Sequence, residues 1–516
     1  MNGAESLART LLASGVDVCF ANPGTSEMHF VAALDTHPQM RCILCLFEGG
    51  ATGAADAYFR MTGKPAATLF HLAPGFGNGF ANLHNARKAR SGILNIVGDH
   101  ASYHLAYESP LKGNTAGIAQ VISHWTRTSD AAASVAADGA AAITAAQSMG
   151  GQIATLILPA NTAWEDANAP TVSVAPSPLH RPSLANVGAA ARTLRTKGAS
   201  LLIDGLALHG DLALLSAKIA KKTGCRLLAP FFVSRIRRGA GSVKLQRLAY
   251  IVEENSEVLK NQNSIVLCGS KRPANFFAYP GKPSLPEPAG CAIFDLCEPE
   301  MDYAWTLHAL ADELAAHTIE LDDEDLEPLA LPALPSGPTT LQKIGQAVAA
   351  LMPENTLVID EAVTSARELA LATRTARPHD WLMINGGAIG GSLPMAVGAA
   401  VACPDQKVLT LTGDGSAMYT LQALWTMARE QLDVTVVIFS NRGYQILRGE
   451  LANVGVTNVG RNAVRMFDVV EPALDWVALA KGHGVAGIRV TDADEFVSAF
   501  GGAMKQKGPF LIEVMC

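Results

Sequence analysis

Short apolar runs alternate with helical stretches along the whole chain, and that alternation leaves few folds open. The first set of runs falls at about 18–21, 41–47, 66–72, 91–97 and 154–158. Strand, helix, strand at this spacing implies a parallel sheet wound on both faces. The stretch 168–182 holds Pro170, Pro176, Pro178 and Pro182, has no periodicity, and reads as a linker. A second alternating unit follows, with strands near 199–203, 226–229, 264–268 and 292–295 and a closing helix over about 303–316. The acidic run 322–327, read as a solvated face, and Pro328, Pro332, Pro335 and Pro338 make a second linker. The third unit opens with a helix over 341–351, capped by Thr339 or Thr340, and has strands at 356–360, 407–411, 435–440 and 510–514. The expected fold is α/β, with three doubly wound parallel-sheet domains at 1–167, 183–317 and 340–516. With 516 residues, 49% of them hydrophobic, the chain is long enough for three such cores.

Lys and Arg number 40 against 47 Asp and Glu, for a net charge of −7 and no basic tract. That balance argues against nucleic acid or an anionic membrane as partner. Residues 1–14 read as an amphipathic helix with Leu7, Leu11 and Leu12 on one side, without the cationic start of a signal peptide, so a cytoplasmic location is expected. The stretch 386–402 starts glycine-rich and contains Pro394; it reads as a buried helix rather than a membrane span. Cys42 and Cys45 form a CxxC, but in a strand that spacing sends the two side chains to opposite faces. They read as small core residues, with a redox or metal role left open.

The apolar run 408–412 leads into Gly413-Asp414-Gly415-Ser416 and then a helical pattern over 419–430. A strand-turn-helix of this kind presents backbone N–H groups to an anion at a helix N-terminus. Asn441 ends the next apolar run, so two hard oxygen donors fall at neighbouring strand ends. With a nearby carbonyl they suit Mg²⁺, which fills its octahedron with phosphate oxygens and water. By itself a Gly-Asp-Gly is equally compatible with an ordinary turn.

Gly-Asp-Gly followed at this distance by Asn resembles the diphosphate motif of thiamine diphosphate (ThDP) enzymes. GDGSAMYTLQALWT (413–426) is most similar to benzoylformate decarboxylases and acetolactate synthase-like proteins. The family carries an Asn pair where this chain has Ser440-Asn441, and the second Asn is its metal ligand. The resemblance therefore implies Mg²⁺ held by Asp414, Asn441 and the Gly443 carbonyl, with Gly413, Gly415, Ser416 and Tyr444 beside the cofactor. It also implies three domains in the order pyrimidine-binding, central, diphosphate-binding.

ThDP supplies its own chemistry, so the protein must bind, bend and protonate it. By spacing alone Glu48 is equally a solvated loop carboxylate at a strand end. However, EGGATGAADAYFRMTGKPA (48–66) is similar to the family segment that begins with the cofactor-activating Glu. Ile389 in GGAIGGSLP (386–394) matches the apolar wedge that bends the cofactor. A lone His at a strand end is commonly structural, yet FHLAPGFGN (70–78) resembles the family's His loop and implies a catalytic His71. Asn22-Pro23-Gly24-Thr25-Ser26 resembles a turn that places the Thr25 hydroxyl at the substrate carboxylate. Leu447 and Glu450 match substrate-facing positions, Glu450 as a second acid.

Asn78, Asn82, His84 and Asn85 are placed on the helix after the His71 loop, and His100 and His104 after the strand ending at Val97; none is given a role. Three departures qualify the match. Phe277, within Asn275-Phe276-Phe277-Ala278-Tyr279, stands where benzoylformate decarboxylase has a second catalytic His. The chain ends at Cys516 directly after its last strand, whereas acetolactate synthase continues over its active site, and no FAD-binding pattern is recognisable. The expected activity is a ThDP- and Mg²⁺-dependent carbon–carbon lyase or carboligase acting on a 2-oxo acid. The alternatives are a 2-hydroxyacyl-CoA lyase-like activity, with Arg448 or Lys271-Arg272 at the CoA phosphates, and a non-catalytic ThDP-binding partner subunit. The resemblance further implies a homo-oligomer, at least a dimer and expected to be a tetramer, because the pyrimidine site of one chain faces the diphosphate site of another.

Overall fold

The computed structural model describes all residues from Met1 to Cys516 and contains three sheets of six, five and seven strands. The first runs Arg41–Leu44, Val18–Asn22, Ala66–Phe70, Ile93–Asp99, Ile153–Pro159, Trp125–Thr128. The second runs Gln246–Arg247, Arg226–Ala229, Ala199–Ile203, Ser264–Cys268, Ala292–Cys297. The third runs Ala486–Val490, Phe510–Met515, Val434–Ser440, Val408–Gly413, Leu357–Glu361, His379–Met383, Ile236–Arg238. Every pairing is parallel except the last, where Ile236–Arg238 crosses from the central unit to lie antiparallel to His379–Met383. Arg235 fixes that edge strand by pairing with Asp380 at 3.2 Å.

Several elements differ from the sequence expectation. The strand expected over 41–47 stops at Leu44, and Glu48 opens the helix Glu48–Thr62 instead of closing the strand. A carboxylate in the first turn suits the helix dipole, and Gly63, at φ 69°, ends the helix in the left-handed region. The loop after His71 is itself a helix, Leu72–Asn78, so Asn78 ends that helix and only Asn82, His84 and Asn85 lie on the next, Phe80–Ala89. The helix expected over 419–430 is divided into Asp414–Ala417 and Ala423–Arg429, so the Gly-Asp-Gly turn is already helical from Asp414. The strands Trp125–Thr128 and Ala486–Val490 escape a hydrophobic reading because most of their side chains reach the surface. His379–Met383 is fully buried but opens on the polar pair His379-Asp380. Cys45 lies just beyond its strand; it is buried and Cys42 exposed, and all nine cysteines are free thiols. No three His, Cys, Asp or Glu side chains are grouped to hold a metal, and no helix is long and apolar enough to cross a membrane.

Two cores join the units. One of 44 buried residues extends from the first sheet into the third, and one of 48 from the central unit into the opposite face of the third. The third sheet is thus the layer that both cores share. Its helix Ser392–Ala402 crosses Glu48–Thr62 so closely that a Cβ on Gly398 would lie 1.9 Å from the Ala54 carbonyl oxygen. Buried Arg60 stitches all three units, through Asp56 at 2.8 Å and the carbonyls of Ser234 (3.2 Å) and Met383 (2.6 Å).

This packing yields a contrast between two glycines. Gly398→Ala should destabilise the protein by about 1–3 kcal/mol in urea unfolding, since backbone must move to admit the methyl group. Gly502→Ala, on a helix with open space around the site, should stabilise it by about 0.5–1 kcal/mol. A pH effect follows from His379, whose pKa burial and then Arg238 push down to about 4. The unfolded imidazole takes its proton near 6.5, so the unfolded state binds more protons between the two values. Stability should be complete above about pH 6.5 and fall as the pH drops toward 4. His209, lowered to about 4 by burial, adds a contribution of the same sign. Urea midpoints at pH 7 and pH 5 should differ less in His379→Asn than in the parent.

Candidate functional site

In a doubly wound sheet the strand order reverses at one point, and the carboxyl ends of the two strands there border a crevice. The first sheet reverses between Val18–Asn22 and Ala66–Phe70, the central sheet between Ala199–Ile203 and Ser264–Cys268, the third between Leu357–Glu361 and Val408–Gly413. The residues after these strands include Thr25 and His71 in the first unit and Asp414 in the third. The two outer crevices also carry left-handed non-glycine residues: Leu72 (φ 52°) after His71, Val363 (φ 48°) after Glu361, and Arg442 (φ 57°) after Asn441. Such conformations are costly for a branched or bulky side chain and gather at functional sites.

At the first crevice, His71 Nδ1 lies 3.0 Å from Glu27 Oε2 and 3.0 Å from Ser26 Oγ. Glu27 is buried and also accepts the Gly24 amide at 2.7 Å. A carboxylate partner places the imidazole proton on Nδ1 and leaves Nε2 to exchange protons. The ring lies directly over Gly24, where a Cβ would sit 2.2 Å from it. Thr25 is exposed on the adjoining turn. His71 precedes the helix Leu72–Asn78, and Asn78 at its other end donates to Glu48 Oε2 at 3.0 Å. One short helix therefore bears on both the buried Glu48 carboxylate and His71. Glu27 escaped the sequence reading, and Asn78 was named there without a role. For Glu27 the available signal was its place two residues after Thr25; for Asn78 it was the FGN that ends the His loop.

At the third crevice, Asp414 is buried and accepts the Gly415 amide at 2.8 Å and the Arg442 amide at 2.7 Å. Asn441 Oδ1 accepts the Gly443 amide at 3.1 Å. Burial raises the Asp414 pKa, and no side-chain cation offsets its charge within hydrogen-bond reach. A divalent ion bound there would offset that charge, and the all-oxygen donor set of Asp414, Asn441 and a backbone carbonyl suits Mg²⁺. The Tyr444 ring lies against Gly415, where a Cβ would sit 2.6 Å from it. Gly413 precedes Asp414 as the N-cap, and Ser416 is buried in the same turn.

Half-buried Ile389 projects from a loop gripped from several sides. Glu361 accepts the amides of Gly390 and Ser392, the latter at 2.8 Å. Thr420 donates to the Gly390 carbonyl at 2.8 Å, and Asn85 brackets Ala388 through its carbonyl (2.8 Å) and amide (3.1 Å). Asn82 donates to the Gly49 carbonyl at 2.8 Å and the Gly390 carbonyl at 3.3 Å, tying the residue beside Glu48 to the residue beside Ile389. Within the chain, no hydrogen bond joins Glu48, His71 or Thr25 to Asp414, Asn441 or Tyr444.

The central crevice opens into a cavity of about 600 Å³ between the first and central units. Arg87, Lys88, Arg90, Lys271 and Arg272 line it, together with Asp204 and Glu300, and Arg90 pairs with Glu300 at 2.9 Å. Burial pushes the Asp204 carboxyl up to about 6. Phe276 lies on the cavity wall and against Gly387 of the Ile389 loop, and its ring contacts exposed Phe277 with centroids 4.7 Å apart. Leu447 and Glu450 share the helix Gln445–Asn453 that follows Tyr444. Glu450, expected as a second acid, accepts hydrogen bonds from the hydroxyls of Tyr250 and Tyr279. Arg448 is paired with Asp468, and His100 is engaged with Ser109 at 3.1 Å and lies tilted beside His104, ring centroids 5.5 Å apart.

Residues 1–120 match the profile described as thiamine pyrophosphate enzyme, N-terminal TPP binding domain, and residues 362–514 match the corresponding C-terminal TPP binding domain. Over 517 residues the chain is 48% identical to IlvX of Mycobacterium tuberculosis, named as an acetolactate synthase large subunit, covering 100% of this chain and 99% of that protein. It is 26% identical to benzoylformate decarboxylase of Pseudomonas aeruginosa, over 97% of this chain and 96% of the relative. The fold is shared with a ThDP-dependent 4-hydroxybenzoylformate decarboxylase of Rhodococcus jostii, with a TM-score of 0.84 and 22% identity, covering 100% of this chain and 99% of that one. It is shared equally with benzoylformate decarboxylase of Polynucleobacter necessarius, with a TM-score of 0.85 and 21% identity, covering 100% and 98%.

Gly24→Ala tests the ring's placement. Its methyl group would displace the His71 ring, and a misplacement near 1 Å can cost about 10²-fold. Steady-state turnover should fall by that order, while the unfolding midpoint and cofactor affinity stay close to the parent's.

Proposed function

The chain belongs to the thiamine pyrophosphate enzyme family, and from that premise we propose that it is a ThDP- and Mg²⁺-dependent carbon–carbon lyase or carboligase acting on a 2-oxo acid. The observation that carries this reading is the single helix Leu72–Asn78, which engages buried Glu48 at one end and follows the Glu27-paired His71 at the other. A non-catalytic subunit has no need of such an arrangement.

When bound, ThDP supplies a carbon nucleophile and an electron sink. Asp414, Asn441 and the Gly443 carbonyl would hold Mg²⁺, the turn Gly413–Ser416 would bind the diphosphate, and Ile389 would support the cofactor. Glu48, oriented by Asn78 and shielded from water, hydrogen-bonds the aminopyrimidine. The Thr25 hydroxyl binds the substrate carboxylate. His71 moves a proton at Nε2, with Glu27 retaining the proton on Nδ1. Phe277 carries no exchangeable proton, so His71 is the imidazole that serves the product carbon. That no hydrogen bond joins the Glu48 cluster to the Asp414 cluster within one chain supports a homo-oligomer, a dimer or tetramer in the cytoplasm, in which two copies complete each site.

A 2-hydroxyacyl-CoA lyase-like activity is the second reading, favoured by the basic cavity that reaches the Ile389 loop through Phe276. Its phosphates would meet Lys271, Arg272 and the Arg87–Arg90 turn, which line that cavity, whereas Arg448 does not. The two readings separate when the protein with ThDP and Mg²⁺ is given pyruvate, benzoylformate, longer 2-oxo acids and 2-hydroxyacyl-CoA, and CO₂ or aldehyde is followed. Release from a 2-oxo acid supports the first, from the thioester the second; silence with cofactor bound returns the non-catalytic alternative. Glu48→Gln should retain ThDP yet slow exchange of its C2 proton by about 10²-fold or more. Unchanged exchange would remove Glu48 from that role.

A further inference from the structure

The helix Gln445–Asn453, directly after the Asn441–Tyr444 loop, has no buried residue. Apolar burial, which normally places a helix, supplies little here. Its position depends on polar ties: within the third unit Arg448 pairs with Asp468 and the Tyr444 amide donates to the Phe467 carbonyl at 2.8 Å, and further side-chain bonds reach the central unit. Glu450 accepts from Tyr250 at 3.0 Å and from the Tyr279 hydroxyl, and Asn453 accepts from Lys282 at 3.0 Å. Both tyrosines belong to the aromatic wall that includes Phe276, and Lys282 lies over the Tyr279 ring. Their hydroxyls are held protonated, burial and then Glu450 raising Tyr250, and the same pair of causes pushing Tyr279 up to about 12. Two hydroxyls donating to one carboxylate form a directional clamp across the boundary between units.

We propose that Glu450 is a positioning residue: clamped by Tyr250 and Tyr279, it holds the helix Gln445–Asn453, and through it Gly443 and Tyr444, in register with the Asp414 turn. The N-terminal end of that helix is where the Tyr444 ring meets Gly415. A helix released at Glu450 would let Gly443 and Tyr444 drift from Asp414 without altering any residue that touches the diphosphate. Leu447, one turn before Glu450, would move with it.

The inference rests on the cofactor site proposed above, and a binding measurement separates the two. ThDP affinity is measured by calorimetry in excess Mg²⁺ for the full chain and its variants, beside thermal unfolding without cofactor. Glu450→Ala should weaken ThDP at least tenfold, with faster amide exchange over 445–453. Glu450→Gln, which keeps a hydrogen-bonding group for each tyrosine, should stay within about threefold of the parent. Tyr279→Phe should weaken binding two- to fourfold, and adding it to Glu450→Ala should have no further effect, because both remove the same interaction. A purely structural role would lower the unfolding temperature of Glu450→Ala and leave its ThDP affinity within twofold of the parent's, which overturns the proposal. So does a Gln variant as weak as the Ala variant. Failure of the parent protein itself to bind ThDP would instead remove the cofactor site on which both rest.

Discussion

A doubly wound parallel sheet cannot close the crevice where its strand order reverses, because neighbouring connections leave in opposite directions there. This chain has three such crevices, and each is occupied differently. The first gathers a carboxylate–imidazole pair, the third an uncompensated carboxylate beside backbone amides, and the central one widens into a basic cavity. The chemistry therefore sits where the fold leaves space, and the packing must hold those spaces in fixed relation.

Close contact between helices does much of that. Gly398 against Ala54 brings Ser392–Ala402 and Glu48–Thr62 to backbone distance, and these are the helices that follow the Ile389 loop and begin at Glu48. Polar groups then fix the register. Asn82 joins the Gly49 and Gly390 carbonyls, and Glu361 holds the loop from the other side. These groups are buried, so a lost partner leaves a desolvated donor or acceptor rather than a solvated one. A fixed loop and strained Leu72, Val363 and Arg442 are consistent with a site preorganised before its cofactor arrives.

Local structure was partly legible in the sequence. Gly413 ends a strand and Asp414 opens a helix, and Asn441 directly follows the next strand. Glu48 and His71 were found by resemblance to family segments, although Glu48 proved to start a helix and the His71 loop to be helical. What escaped depends on distant segments meeting. Asn82 reaches Gly390 across 308 positions, and Ile236–Arg238 joins a sheet that is otherwise built from a later part of the chain. Glu450 read as a substrate-facing second acid, and nothing in its neighbourhood of sequence announces its bonds to Tyr250 and Tyr279. Half-exposed strands such as Ala486–Val490 have too little apolar alternation to be seen.

The central claim is that the Asp414 turn in the third crevice binds the cofactor's diphosphate through a divalent ion. Calorimetric titration of ThDP into the parent protein and into Asp414→Ala, each with Mg²⁺ and with EDTA, tests it most directly. The account predicts tight binding only for the parent with Mg²⁺, with the variant and both EDTA samples weaker by at least about 10²-fold, roughly 2.7 kcal/mol. Equal affinity in the variant, or binding indifferent to EDTA, would contradict it.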